Sequence, residues 1–186
     1  MLYLASRSPR RRDLLKQAGI PFRTVRSSYK ETHPSGIPVA ETAVRNAVGK
    51  CRAAAAPCRA LVLGADTVIE FKRRIIGKPL DRAHARRILK AFSGNTHIVW
   101  TGVALEDRAA GILKYWVVAS KVTFRRLTAG EIEDYLDTGE YRDKAGGYGY
   151  QKQGRALVQR IQGSPTNIIG LPMERLTGDS SLINFK

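Results

Sequence analysis

Cysteine is nearly missing from this chain of 186 residues: only Cys51 and Cys58 occur. Their spacing matches neither a redox pair nor a zinc-binding pattern. Both are expected to remain reduced thiols, which suits a cytoplasmic location. Histidine is almost as scarce, and His33, His84 and His97 stand at no ligand spacing, so no zinc site is expected. No apolar run is long enough to cross a bilayer. The first residues place apolar side chains before arginines, the reverse of a secretory signal, so neither a membrane partner nor export is expected. Acidic side chains are the remaining shortage. Sixteen Asp and Glu face 32 Lys and Arg, a net charge of +16. Such a field favours anionic partners (nucleotides, nucleic acid or acidic surfaces) without choosing among them.

What is present reads as a folded protein. A content of 43% hydrophobic and 26% charged residues is ordinary for a globular chain, and the length suits one domain over residues 1–186, with or without two lobes. There is no internal repeat, low-complexity tract or linker.

The most informative stretch is Ser6-Arg7-Ser8-Pro9-Arg10-Arg11-Arg12. It follows an apolar run and precedes Leu14, Leu15 and Ala18, which reads as strand, tight turn and helix. Ser8 is the candidate N-cap and Pro9 the first helical residue. Backbone N–H groups at such a helix start attract anions. The helix end alone contributes only ~0.3–1 kcal/mol to an exposed anion, whereas each hydrogen bond to a charged group is worth ~1.5–3 kcal/mol. The arginines therefore dominate any grip on phosphate.

Further along, residues 22–26 alternate as a strand and 27–38 read as a loop. Apolar positions recur at helical spacing over 39–56, with Lys50 late on that helix and Pro57 after it. Residues 61–65 form a buried-strand pattern that runs into Asp66-Thr67-Val68-Ile69, which places Asp66 at the end of an apolar strand. A basic turn at Lys72-Arg73-Arg74, a short strand at Ile75-Ile76, Gly77-Lys78-Pro79 and a helix over 81–92 follow. Residues 97–105 and 113–124 read as long paired strands. Thr128 and Glu131 have capping-box spacing for a helix to about Asp137. Five glycines in residues 139–154 mark a structured functional loop. A strand over 156–161 and a short helix after Gly170-Leu171-Pro172 complete the pattern, and the tail over 178–186 is expected to be poorly ordered.

Candidate chemistry follows from these placements. Asp66 at a strand end can hold a divalent cation or take a proton from water. Read alone, a strand-end aspartate is also often just a turn or cap residue. Lys78 beside Gly77 and Pro79, and Lys50 on an alanine-rich helix, are either phosphate ligands or solvated lysines. Glu31 in a polar loop needs no special role, although metal binding would suit it. Gln151, after a glycine-rich run, offers both an amide donor and a carbonyl acceptor to a nucleobase edge.

Taken in order, these blocks resemble the Maf family of nucleoside triphosphate pyrophosphatases. The matching residues are Leu4-Ala5-Ser6-x-Ser8-Pro9-Arg10-Arg11, Gly64-Ala65-Asp66-Thr67-Val68, Gly77-Lys78-Pro79, and the run from Ser93 to Gly102. Lys121-Val122-Thr123-Phe124, Gly139-Glu140, Asp143-Lys144-Ala145-Gly146, Tyr148-Gly149, Gln151, Asn167 and Gly170-Leu171-Pro172 continue the match over residues 2–176. The resemblance implies a Maf-type α/β fold, similar to that of inosine triphosphate pyrophosphatases: an elongated mixed sheet flanked by helices, with a cleft between two lobes. It implies hydrolysis between the α- and β-phosphates of a nucleoside triphosphate with Mg²⁺ or Mn²⁺. Under it, Asp66 becomes the general base and, with Glu31, a metal-site carboxylate. Ser6, Ser8, Arg10, Arg11, Lys50 and Lys78 become phosphate contacts. It also admits a homodimer.

Within that family, Arg10, Thr67 and Gln151 resemble the branch acting on dTTP and UTP. A branch acting on 7-methyl-GTP carries tryptophan and glutamate at the first and last of these positions. Two departures stand out: Lys152 replaces a glycine and Lys30 an acidic residue. The alternatives are the same reaction on a purine or 7-methyl-GTP, or a nucleic-acid-binding or cell-division regulatory protein without hydrolase activity. Basic residues are dispersed along the chain, and their order alone maps no continuous groove face.

Overall fold

The computed structural model describes residues 1–178; the expectation for the tail falls, beyond Gly178, outside the described residues. A seven-stranded mixed sheet is built from β1 (Leu2–Leu4), β2 (Phe22–Thr24), β3 (Leu61–Phe71), β4 (Arg74–Ile76), β5 (Thr96–Asp107), β6 (Ile112–Phe124) and β7 (Val158–Gln162). Its order is β2-β1-β3-β5-β6-β7, with β4 also pairing β3. β1 pairs in parallel with β2 and β3, and every other pairing is antiparallel. The helices are α1 (Pro9–Gln17), α2 (Val39–Arg52), α3 (Arg82–Phe92), α4 (Ala129–Asp137), α5 (Pro165–Ile169) and α6 (Met173–Leu176).

Handedness puts α1 and α2 on opposite faces. The chain steps outward from β1 to β2 through α1, then back across β1 to β3 through α2. Right-handed crossovers in opposite directions cover opposite faces. The packing agrees: Leu14 and Leu15 of α1 join Leu2, Leu4, Leu61 and Leu63 in one cluster. Ala47 and Cys51 of α2 join Val62 and Ala104 in another. A third cluster, around Phe92, Phe124 and Leu136, packs α3 and α4 at the other end of the sheet.

Strand β3 differs from its expectation in one consequential way. It does not end at Asp66 but continues to Phe71, because β5 pairs with it without interruption from Leu61 to Glu70. Its other edge is divided. β1 covers residues 61–63 and β4 covers 69–71, so among the described residues no strand pairs with 64–68 on that side. Asp66 thus lies in the middle of a long strand, at a break in its pairing, beyond the carboxyl end of β1.

Smaller differences have local causes. Helix α2 stops at Arg52, where the Arg108 guanidinium takes the carbonyls of Cys51, Arg52 and Ala54 and ends the turn. β7 starts at Val158 because residues 152–157 wind into a 3-10 turn. Helix α5 was not legible as an element, although Ser164 caps it and Pro165 opens it. The capping box of Thr128 and Glu131 forms as expected.

Candidate active site

Two glycines let α2 settle against the sheet beside Asp66. A Cβ at Gly64 would stand 2.3 Å from the Ala47 carbonyl oxygen, and one at Gly102 equally close to the backbone of Ala43. Gly102 is the cross-strand partner of Asp66. With no side chains there, α2 can deliver Asn46 and Lys50, one turn apart, to the carboxylate. The Asn46 amide donates to Asp66 Oδ2 at 2.9 Å and Lys50 Nζ donates to Oδ1 at 2.6 Å. Lys50 also donates to the Ala65 carbonyl at 3.2 Å and pairs with Glu31 at 2.5 Å. Its three N–H groups therefore all meet protein oxygens.

Asn46 does more than touch Asp66. Its Oδ1 accepts from the Thr32 amide and the Tyr29 hydroxyl, and its Nδ2 also donates to the Thr32 carbonyl. These bonds fasten the loop that carries Glu31 to α2. Sequence reasoning passed over Asn46. The available signal was a polar i, i+4 pair with Lys50 set within the alanine face of the helix.

Side chains alternate along a strand, so Thr67 faces the opposite side. There its hydroxyl accepts from Arg11 Nη2 at 3.0 Å and lies 3.0 Å from the Thr101 hydroxyl. Arg11 Nη1 donates to Ser6 Oγ at 3.1 Å, and Nε donates to the Gly170 carbonyl at 2.7 Å. Ser6 Oγ also accepts from the Ser8 amide at 3.2 Å. Ser8 occupies the N-cap position of α1, but its side chain makes no capping bond, so the turn is held by Ser6 instead.

The break in β3 pairing opens into a cleft of about 1060 Å³. Ser6, Ser8, Arg10, Arg11, Glu31, Lys50, Asp66, Thr67, Lys78 and Gln151 all line it. Every residue singled out from sequence is therefore brought to one cavity, from segments up to 145 positions apart. Asp66 is buried yet forms part of its wall. Among the described residues, eight cationic side chains, including Arg26, Arg142 and Lys144, share the lining with three acids, Glu31, Asp66 and Asp143. Burial weighs against the charge of Arg10 more than Asp143 supports it, and its pKa is lowered. Burial lowers that of Arg11 as well, against the pull of Asp66 and Glu31. Lys144 is lowered first by burial and then by Arg10. Cations held short of counter-charge are what an anionic ligand would complete.

The carboxylates of Glu31 and Asp66 converge within 2.6 Å of a single atom, Lys50 Nζ. Among the described residues no group of three His, Cys, Asp or Glu stands at metal-binding distance. Magnesium is commonly held by one or two carboxylates, with substrate phosphates and water completing its shell. The Lys50 ammonium holds the point where these two carboxylates meet, so a divalent cation would use only the oxygen lone pairs that Lys50 and Asn46 leave free on the cleft side. Cys51 and Cys58 are both free thiols, and burial raises the pKa of Cys51 to about 12. Among the described residues no helix is long and apolar enough to cross a membrane.

Several known proteins are similar to this chain over most of its length. A dTTP/UTP pyrophosphatase of Pelotomaculum thermopropionicum is 42% identical over 176 residues, which cover 94% of this chain and 92% of that protein. One from Dictyoglomus thermophilum is 43% identical over 186 residues, covering 98% and 94%. One from Yersinia pestis is 45% identical over 174 residues, covering 92% and 87%. The family model described as Maf-like protein matches residues 1–179, and the chain belongs to that family.

Proposed function

We propose that this protein is a nucleoside triphosphate pyrophosphatase that cleaves dTTP and UTP, and modified pyrimidine triphosphates, into the monophosphate and pyrophosphate. The observation that carries the reading is Asp66, fixed by Asn46 and Lys50 on one wall of a cleft rich in arginine and lysine. The relatives named dTTP/UTP pyrophosphatase support the substrate class.

A triphosphate carries about four negative charges, which repel an incoming hydroxide until cations offset them. Arg10, Lys78 and Lys144 supply that offset from the cleft lining, and Arg11 holds Ser6 and Thr67 in place beside them. The Asp66 carboxylate, its two oxygens oriented by Asn46 and Lys50, accepts the proton of the attacking water. General-base action provides ~10²–10⁴-fold of rate, so positioning and charge stabilisation carry the larger share of the ~8–23 kcal/mol typical of enzymes. Glu31 and Asp66 would hold a divalent cation, Mg²⁺ or Mn²⁺, which when bound neutralises phosphate charge. Gln151 presents its amide to the edge of the base. Free thiols suit a reducing compartment, and a cytoplasmic homodimer belongs to the same reading.

Pyrophosphate release measured on dTTP, UTP, CTP, GTP and 7-methyl-GTP, each with magnesium and with manganese, tests this reading. The expected outcome is a kcat/KM for dTTP and UTP at least ~10-fold above that for the purines. A purine preference would contradict the substrate assignment. Absent turnover together with salt-steep binding to RNA or DNA would favour the nucleic-acid reading.

A further inference from the structure

The segment over residues 139–154 brings Asp143, Lys144, Tyr150 and Gln151 to the cleft with only two 3-10 turns for internal structure. It is anchored instead from below. Tyr148 is buried, with its ring edge-on to His97, Phe124 and Phe92. Its hydroxyl shares a 2.7 Å hydrogen bond with His97 Nε2. The His97 ring in turn stacks on Phe92 at 4.2 Å. Nearby, the Gly146 amide donates to the Gly77 carbonyl at 2.9 Å, next to Lys78. Gln151 is three residues beyond Tyr148, so at most ~11 Å of chain separates the anchor from the group that faces the base.

The anchor is polar although aromatic rings surround it. Burial pushes His97 down to about 3 and Tyr148 up, so an uncharged imidazole meets an uncharged phenol. His97 Nδ1 has no partner among the described residues. The pair holds two protons for one mutual contact: if the phenol donates to Nε2, the Nδ1 proton has no acceptor, and if Nε2–H donates, the phenol proton has none. A buried group left unsatisfied weakens the fold, whereas replacing both partners by apolar groups can be nearly neutral. What the polar pair adds is a directional contact at the phenol oxygen, on top of the ring orientation that the edge-on contacts set.

We propose that His97 and Tyr148 are a positioning pair that sets the loop over residues 143–151, and through it Gln151, so that their contact governs discrimination between nucleobases more than stability. The proposal rests on Gln151 reading the base.

The test compares wild type, Tyr148→Phe, His97→Leu/Tyr148→Phe and Gln151→Ala by kcat and KM for UTP and GTP and by thermal melting. The expected result for the double variant is a melting temperature near wild type with a UTP/GTP ratio of kcat/KM reduced ~10-fold, mostly through KM. Tyr148→Phe is expected to shift the ratio in the same direction, and it retains the ring packing should the double variant fail to fold. A shifted ratio in Gln151→Ala with none in either anchor variant would overturn the proposal while sparing the base-reading role. An unchanged ratio in Gln151→Ala would overturn both. A fall in melting temperature with the ratio intact would make the pair purely structural and also overturn it.

Discussion

Replacing Gly102 by alanine would test how closely the site depends on α2 lying flat on the sheet. The added Cβ would stand 2.3 Å from the carbonyl carbon and oxygen of Ala43 and 2.5 Å from the Val44 nitrogen, where ordinary contact begins at 3.4 Å. These are backbone atoms and cannot rotate aside, so the helix must lift by roughly 1 Å. Overpacking of this kind costs about 1–3 kcal/mol, which lowers the melting temperature of a chain this size by ~2–12 °C. Asn46 and Lys50 travel with the helix. Their bonds to Asp66, now 2.9 and 2.6 Å, would stretch to the limit of hydrogen-bonding range or beyond. A ~1 Å misplacement of catalytic groups can lower the rate by ~10²-fold. Differential scanning calorimetry and dTTP turnover measure the two effects on one sample. Gly77→Ala serves as the control for stability, since its Cβ would meet nothing within 4 Å. If Gly102→Ala melted and turned over like wild type, the close approach of α2 would not be what holds Asp66.

Two further outcomes follow from the burial of ionisable groups. Lys50→Met strands Asp66, whose side chain is 6% exposed, without its counter-ion; a loss of about 3–5 kcal/mol is expected in a denaturant melt, and adding Asp66→Asn should restore much of it while the protein stays inactive. His97 is neutral in the fold, with its pKa pushed by burial from 6.5 to about 3. Between those values the unfolded chain binds the extra proton, so stability is full above pH 6.5 and falls as pH drops towards 3; the slope of stability against pH over that window should flatten in His97→Gln.

Much of the fold was legible because its local chemistry and its packing agree. The β-branched runs of β5 and β6, the capping box of α4 and the Ser-Pro start of α1 each name their element without help from distant residues. Asp66 is legible as a candidate, but its place within the strand is not. Nothing in residues 61–71 announces that β1 and β4 leave the middle of one edge uncovered, since that break arises from partners far along the chain. Lys50 was similarly ambiguous: an alanine-rich helix with a lysine reads as a solvated face until Gly64 and Gly102 bring the sheet close enough to bury it. Asn46 gave a weaker signal still, because its role depends on the fold of the loop around Tyr29 and Thr32. Anchoring of the late loop by His97 requires contact across 51 positions, which no local pattern encodes.

The chemistry rests on Asp66 taking the proton from water in the reaction that splits dTTP between its α- and β-phosphates. Product analysis and turnover of wild type and Asp66→Asn on dTTP, with circular dichroism to verify folding, test it most directly. Wild type is expected to give dTMP and pyrophosphate in equal amounts, and the folded variant to be slowed by ~10²–10⁴-fold or more. Orthophosphate as the product, or an Asp66→Asn variant working at close to the wild-type rate, would contradict it.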